Sequence, residues 1–223
     1  MITVGIATIP SRVNSLKRVL DSLTGQVDLM HVVLNGYDFL PDFLLKYKNI
    51  IYRIEDNEKV GDGMKFYLSE AVNGFHVSVD DDLCVRDGLI KEMVSKCNDY
   101  HAIVTLHGKR YDGERPIKSY RSSFTKNIHC LKDYTTDTEV HVGGTGIMVF
   151  NTDEFKLSVS NFEHKNMADV IVAREAHKQG IKIMALAHTV NDLTYIPPPK
   201  GTTIWETSRM DRIQTHILNS FIK

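Results

Sequence analysis

The sequence has no excess of charge of either sign and no long apolar segment. Its 223 residues contain 27 Lys and Arg against 28 Asp and Glu, which gives a formal net charge of -1. A nearly neutral chain produces no global field that would attract nucleic acid, so we expect no nucleic-acid partner. Because no apolar run reaches the roughly 18 residues of a membrane-spanning helix, we also expect no transmembrane segment.

Cysteine is scarce, and its spacing excludes two common kinds of stabilising site. Cys84, Cys97 and Cys130 are odd in number and form no CxxC pair, which argues against a disulfide framework and a structural zinc site. The first residues, MITVGIATIPSR, lack the charged start and cleavage site of a signal peptide. We therefore expect a cytoplasmic location, which includes the cytoplasmic surface of a membrane.

Strand and helix patterns alternate along the first half of the chain. Runs of β-branched residues bounded by turn residues predict strands, and apolar residues at helical spacing predict helices. The predicted strands are 2–9, 28–36, 49–54, 75–79 and 101–108, and the predicted helices are the segment after an N-cap at Ser11, 65–72 and 88–97. Such alternation implies an α/β fold with a mostly parallel central sheet flanked by helices.

The second half is less regular. Residues 109–134 are polar and predict an excursion over a site; 139–150 predicts a strand interrupted by glycines. A helix at 167–179 with Asn166 as N-cap, a strand at 181–188 and a helix at 208–222 follow. We expect one domain, 1–223, with a nucleotide-binding half, 1–108, and an acceptor and sugar half, 109–223. The chain is also compatible with being the first domain of a longer protein.

Three consecutive carboxylates, Asp80, Asp81 and Asp82, follow the predicted strand 75–79. Open α/β sheets bind ligands at the carboxyl ends of their strands, and a divalent cation would offset the repulsion between these side chains. In an extended segment Asp80 and Asp82 point the same way, and Asp81 points the other way. A solvated acidic turn is the alternative, because Asp is common in turns.

Several segments together resemble one enzyme family. TVGIATIPSRVNSLKRVLDSL, VVLNGYD and VSVDDDL resemble the nucleotide-binding half of a GT-A glycosyltransferase of family 2, in which a DxD holds a divalent cation on the diphosphate of a nucleotide-sugar. VTLHG, GGTGIMVF and MADVIVAREAHKQGIKI resemble a group of small bacterial and viral members. The resemblance covers most of the chain. It implies a GT-A (Rossmann-like) fold and the transfer of a hexose from a UDP-sugar donor to a glycan or glycolipid acceptor, with inversion and with Mn²⁺ or Mg²⁺ as cofactor.

The resemblance also implies roles for individual residues. Asp82 coordinates the metal, Asp80 bridges to ribose or metal, and Asp81 is the spare carboxylate beside the nucleotide. The other expected donor contacts are Thr8, Ile9, Pro10, Arg12, Asn35, Asp38, Lys65, Gly143 and Gly144. Two alternatives stay open: Asn35-Gly36 is a turn signal in its own right, and an exposed surface position is the default for a lysine such as Lys65.

Two further residues carry the mechanism that the resemblance implies. Asp169 is the expected base for the acceptor hydroxyl, although an acid near the start of a helix also caps it. His188 is the expected last metal ligand, or else a partly buried histidine. Trp205 is a candidate for stacking on a sugar or for packing. The basic residues of 109–134 either grip an anionic acceptor or form a solvated loop.

Two other functions compete with glycosyl transfer. A sugar nucleotidylyltransferase would carry a glycine- and lysine-rich loop after the first strand, whereas the loop here, ATIPSRVNS, has no glycine. A non-catalytic nucleotide- or glycan-binding module of the same fold would bind without turnover. The intact DxD and the intact candidate base weigh against that module.

Overall fold

A computed structural model describes residues 1–56, 60–203 and 211–223. The strands in these residues are β1 Ile2–Thr8, β2 Leu29–Asn35, β3 Ile50–Glu55, β4 Phe75–Val79, β5 Leu83–Val85, β6 Ile103–Thr105, β7 Gly108–Arg110, β8 Lys126–Ile128, β9 Thr138–Val140, β10 Val142–Gly143, β11 Ile147–Asn151, β12 Ile183–Ala185 and β13 Leu193–Tyr195. The α-helices are α1 Val13–Leu23, α2 Leu89–Tyr100, α3 Ala168–Lys178 and α4 Asp211–Phe221. None of the helices in the described residues is long and apolar enough to cross a bilayer.

Eight strands form one mixed sheet in the order β3-β2-β1-β4-β11-β6-β12-β9. The pairs β3-β2, β2-β1, β1-β4 and β6-β12 are parallel, whereas β11 runs antiparallel between β4 and β6, and β9 is an antiparallel edge. The α/β class with a mostly parallel central sheet is thereby confirmed. Because β1, β2 and β4 are parallel neighbours, the loops that follow them meet at one edge of the sheet.

Side chains alternate between the two faces of the sheet, as strand geometry requires. On β11, Ile147 and Val149 join a core with residues of α1 and α2. Met148 and Phe150 point the other way, into a second core with residues of α3 and α4. The sheet is thus the middle layer of three, and both of its faces are covered by helices.

The helix predicted at 65–72 is wrong. The chain instead forms a 3₁₀ helix, Gly61–Phe66, and continues in turns through Ala71. Phe66 stacks on Phe150 and Phe162, with ring centroids 6.2 and 5.4 Å apart. This tertiary packing overrides the helical spacing of the segment.

Both predicted side-chain caps are also wrong. Ser11 lies inside a 3₁₀ turn, Pro10–Arg12, and no side chain caps α1. Asn166 has a φ of 59° and lies one residue before Met167, the N-cap of α3. Its Oδ1 accepts a hydrogen bond from the Asp62 amide, at 3.2 Å, instead of one from its own helix.

The predicted long strands are shorter than expected. The segment 139–150 is divided among β9, β10 and β11, which belong to two different sheets, because its glycines break the pairing. The strands predicted at 101–108 and 181–188 shrink to β6 and β12, and the start of the predicted last helix lies outside the described residues. Trp205 is also outside them.

Two buried histidines make stability depend on pH. His76 in β4 lies between Phe66 and Phe150, with ring centroids 5.6 and 5.2 Å away, and burial lowers its pKa from 6.5 to about 3. Burial likewise lowers the pKa of His31 to about 4. Between pH 6.5 and these values the unfolded chain binds protons that the folded chain does not, so the free energy of unfolding falls as the pH falls.

We predict that lowering the pH from 7 to 5 costs about 2 kcal/mol of stability through His76 alone. In His76→Phe, which keeps an aromatic ring without a titrating group, the loss between the two pH values should shrink by about that amount. Urea denaturation at both pH values measures it, with exposed His216→Gln as the control. An undiminished loss in His76→Phe would contradict the assignment.

Candidate functional site

The three consecutive aspartates follow β4, and two cations lie among them. The Lys65 ammonium is 2.5 Å from Asp80 Oδ1. On the other side, Arg12 Nη1 is 2.7 Å from Asp81 Oδ1 and 3.3 Å from Asp82 Oδ2. Arg12 also donates to the carbonyl oxygen of Thr202, at 3.2 Å. The carboxylates are therefore held in place by charge from two different segments.

Lys65 reaches the aspartates because β1 carries a glycine. A Cβ on Gly5 would lie 1.8 Å from the Lys65 carbonyl oxygen, so the 3₁₀ helix that bears Lys65 packs directly on bare strand backbone. The Lys65 side chain is only 3% exposed, and its ammonium also donates to the carbonyl oxygen of Thr145, at 3.2 Å. The surface-lysine alternative is therefore excluded.

Crowded carboxylates are the main electrostatic feature of the site. Burial, together with the charges of the neighbouring Asp80 and Asp81, raises the pKa of Asp82 to about 7. The ligating atoms that Asp80 and Asp82 offer are oxygens, which Mg²⁺ and Mn²⁺ prefer. No group of three or more His, Cys, Asp or Glu in the described residues is arranged to hold a metal. Two carboxylates alone would hold a cation only together with phosphate oxygens and water as its other ligands.

Asp169 lies in the first turn of α3, but it does not cap the helix. Its Oδ1 accepts hydrogen bonds from both the backbone N and the Oγ1 of Thr145, each at 2.8 Å. The Thr145 carbonyl oxygen accepts from Lys65. The structure therefore does not support the helix-cap interpretation of Asp169. The hydrogen bonds of its carboxylate come from Thr145, in the glycine-rich segment before β11. One threonine therefore connects the aspartate cluster to Asp169.

Two adjoining cavities meet at this cluster. The first, called here the Asp82 cavity, has a volume of about 730 Å³, and the second, the Asp169 cavity, has about 750 Å³. Both are within the range of small-molecule sites. They share a boundary that includes Asp62, Lys65 and Asp80. A ligand with its phosphates at Asp80 would therefore extend from one cavity into the other.

Most of the residues expected to contact a donor line the Asp82 cavity. They are Thr8, Ile9, Arg12, Asn35, Lys65, Asp80, Asp81 and Asp82. Asn35 is buried, and its Nδ2 donates to the carbonyl oxygen of Gly61 at 3.3 Å. The turn alternative also holds, because Gly36 has a φ of 68°. Asn35 thus both ends β2 and faces the cavity.

Four expected residues are not brought to either cavity. Pro10 and Asp38 are exposed and line neither one. Gly143 packs against Ile183 of β12, and a Cβ on it would lie 2.8 Å from that side chain. The adjacent Gly144 does line the Asp169 cavity. His188 is buried, with its ring nitrogens 2.7 Å from the Leu186 carbonyl oxygen and 3.3 Å from that of His129. The partly buried histidine is the interpretation that the structure supports.

The sequence interpretation missed three residues of the site. Thr145 donates hydrogen bonds to Asp169, and Tyr120 lines the same cavity as Asp169: burial raises the pKa of the Tyr120 phenol, and the charge of Asp169 raises it as well. Asp62 lies between the cavities with a pKa raised to about 7 by burial, and its Oδ2 accepts from the Ala168 amide at 3.4 Å. In the sequence, Thr145 is marked by its place inside GGTG, and Tyr120 lies in the segment 109–134 that was expected to cover a site.

Comparisons with known proteins support the fold. No protein-family model matches the chain, and no curated protein matches it at significant similarity. A structure of Staphylococcus aureus TarS, a GT-A fold glycosyltransferase, in complex with UDP-GlcNAc matches with a TM-score of 0.65 at 15% identity, over 93% of this chain. A second TarS structure matches with a TM-score of 0.53 at 13% identity, over 82%.

These likenesses confirm the GT-A-like fold that the sequence resemblance implies. The chain spans 61% of the first TarS structure and 58% of the second. A thymidylyltransferase structure from Bacillus anthracis, described as putative, superposes less well, with a TM-score of 0.42 at 11% identity over 68% of this chain and 71% of its own. At these identities, similarity establishes architecture, and function has to be argued from the site.

We predict that Gly5→Ala destabilises the protein by about 1–3 kcal/mol, the usual cost of overpacking. The new methyl group must push away the backbone that carries Lys65. Gly113→Ala is the matched control, because the nearest atom to its Cβ would be 3.8 Å away. Urea denaturation measures both variants. Equal stability of the two would show that the close approach at Gly5 is unimportant.

Proposed function

We propose that the chain is a metal-dependent glycosyltransferase that moves a hexose from a UDP-sugar to a hydroxyl of a glycan or glycolipid acceptor. One observation carries the proposal: Lys65 at Asp80 and the carboxylate of Asp169 are joined through a single residue, Thr145. Glycosyl transfer needs a group that stabilises the departing diphosphate close to a group that takes the proton of the acceptor hydroxyl. The UDP-GlcNAc in the TarS complex supports the donor class.

The Asp82 cavity is suited to hold the nucleotide diphosphate. Breaking the anomeric C–O bond puts negative charge on the departing diphosphate, and a buried ammonium such as that of Lys65 stabilises this charge without reorganising. Arg12 provides a second cation beside Asp81 and Asp82. A Mn²⁺ or Mg²⁺ ion held by Asp80 and Asp82 would add Lewis-acid stabilisation of the same charge.

Asp169 is suited to act as the base. The acceptor oxygen forms a bond to the anomeric carbon while the bond from that carbon to the diphosphate oxygen breaks, and the hydroxyl proton passes to the carboxylate. Two hydrogen bonds from Thr145 fix Asp169 Oδ1, which orients the group before the acceptor binds. Attack from the face opposite the leaving group would invert the anomeric centre.

We predict that the protein slowly hydrolyses one member of a nucleotide-sugar panel in the presence of Mn²⁺, and that EDTA stops the reaction. Asp82→Ala should lower the rate at least about 10²-fold, because the leaving group loses electrostatic stabilisation. Asp87→Ala, at an exposed aspartate between β5 and α2, is the control. Nucleotide release that is indifferent to both EDTA and Asp82→Ala would reject metal-dependent transfer.

We predict that Asp169→Asn lowers turnover about 10²- to 10⁴-fold, the usual contribution of a general base. Asn keeps an Oδ1 that accepts both hydrogen bonds from Thr145, so the melting temperature should stay near that of the wild type. Product release is measured by chromatography, and UDP affinity by calorimetry. Turnover within about threefold of the wild type would exclude Asp169 as the base.

A further inference from the structure

The Asp169 cavity contains a cation that the donor chemistry does not use. Lys109 lies on β7, opposite Asn127 of β8 in the register of the small sheet, and both residues line the Asp169 cavity but not the Asp82 cavity. Lys109 therefore stands on the side of the base, away from the three consecutive aspartates. Of the basic residues in 109–134, Lys109 and Arg121 are the ones that line this cavity.

The Lys109 ammonium contacts aromatic rings but has no anionic partner among the described residues. It lies 3.9 Å from the centroid of the Tyr120 ring and 5.7 Å from that of Phe124. No carboxylate in the described part of the chain forms an ion pair with it. Burial lowers its pKa. Contact with ring faces compensates a partly desolvated ammonium less well than an anion does.

Tyr120 relates this cation to the reacting position. Tyr120 and Asp169 line the same cavity, and the Tyr120 ring lies against the Lys109 ammonium. Tyr120 itself is fixed, since its side chain is buried and its amide donates to Thr215 Oγ1 of α4, at 2.8 Å. Lys109, Tyr120 and Asp169 thus line the same cavity. A ligand the size of a sugar in this cavity could contact both Lys109 and Asp169 at once.

We propose that the acceptor carries an oxyanion, a phosphate or a carboxylate, within about one sugar ring of the hydroxyl that is glycosylated, and that Lys109 binds this group. The inference rests on the proposed function, in which Asp169 deprotonates the acceptor. An oxyanion at Lys109 would neutralise the ammonium, which the Tyr120 and Phe124 rings stabilise only in part. The acceptor hydroxyl, about one sugar ring from that oxyanion, would then lie at Asp169.

The test compares small charged and neutral probes on the protein saturated with UDP and Mn²⁺. Glucose 6-phosphate, glucuronate and methyl glucoside are titrated, and their binding is followed by saturation-transfer NMR. The wild type should bind at least one of the two anions about tenfold or more tightly than methyl glucoside, as a charge-assisted bond requires. The stronger of the two anions identifies the group as phosphate or carboxylate.

Substitutions assign the preference to Lys109. In Lys109→Met the affinity for the anion should fall to within about twofold of that for methyl glucoside, whereas Lys109→Arg should retain the preference for the anion. Lys91→Met, at an exposed position of α2, should leave the preference at the wild-type level. No anion preference in the wild type, or a preference that persists in Lys109→Met, would overturn the proposal. Donor hydrolysis distinguishes failure of the acceptor inference from failure of the proposed function. If the wild type hydrolyses its donor but has no anion preference, only the acceptor inference is lost.

Discussion

The structure depends on how the carboxylates at the end of β4 are compensated. Asp80, Asp81 and Asp82 would repel one another if they stood alone, and they are held by Lys65 from the 3₁₀ helix and by Arg12 from the loop after β1. Both cations are largely buried, so their interactions with the aspartates are screened little by solvent. This compensation fixes two loops at the edge of the sheet and gives the Asp82 cavity its shape.

The same arrangement extends to the second half of the chain. Thr145 accepts a hydrogen bond from Lys65 through its carbonyl oxygen and donates two to Asp169. Tyr120 lines the same cavity as Asp169, and its ring lies against the Lys109 ammonium of β7. In the proposed reaction, these hydrogen bonds hold the aspartates and Asp169 at fixed positions relative to each other, as a displacement requires of its reacting groups.

The sequence predicted the elements that local patterns determine. The first strand and the strand before the aspartates are predicted nearly to the residue, because β-branched runs and turn residues mark them. The expected alternation of the aspartates is not seen: they follow β4 in a turn, and one Arg12 nitrogen contacts both Asp81 and Asp82. Contacts between distant segments could not be predicted in the same way. Tyr120 and Asp62 join the site only through tertiary packing, and the expected metal ligand His188 is instead bonded to backbone carbonyl oxygens.

In the proposed function, Asp80 and Asp82 bind the diphosphate of a nucleotide through a divalent cation. Calorimetric titration of UDP into the protein, with Mn²⁺ and after its removal, tests this claim most directly. We expect one UDP site per chain with Mn²⁺, and an affinity for UDP at least about tenfold weaker without the ion. Equal affinity under both conditions, or no UDP binding under either, would contradict it.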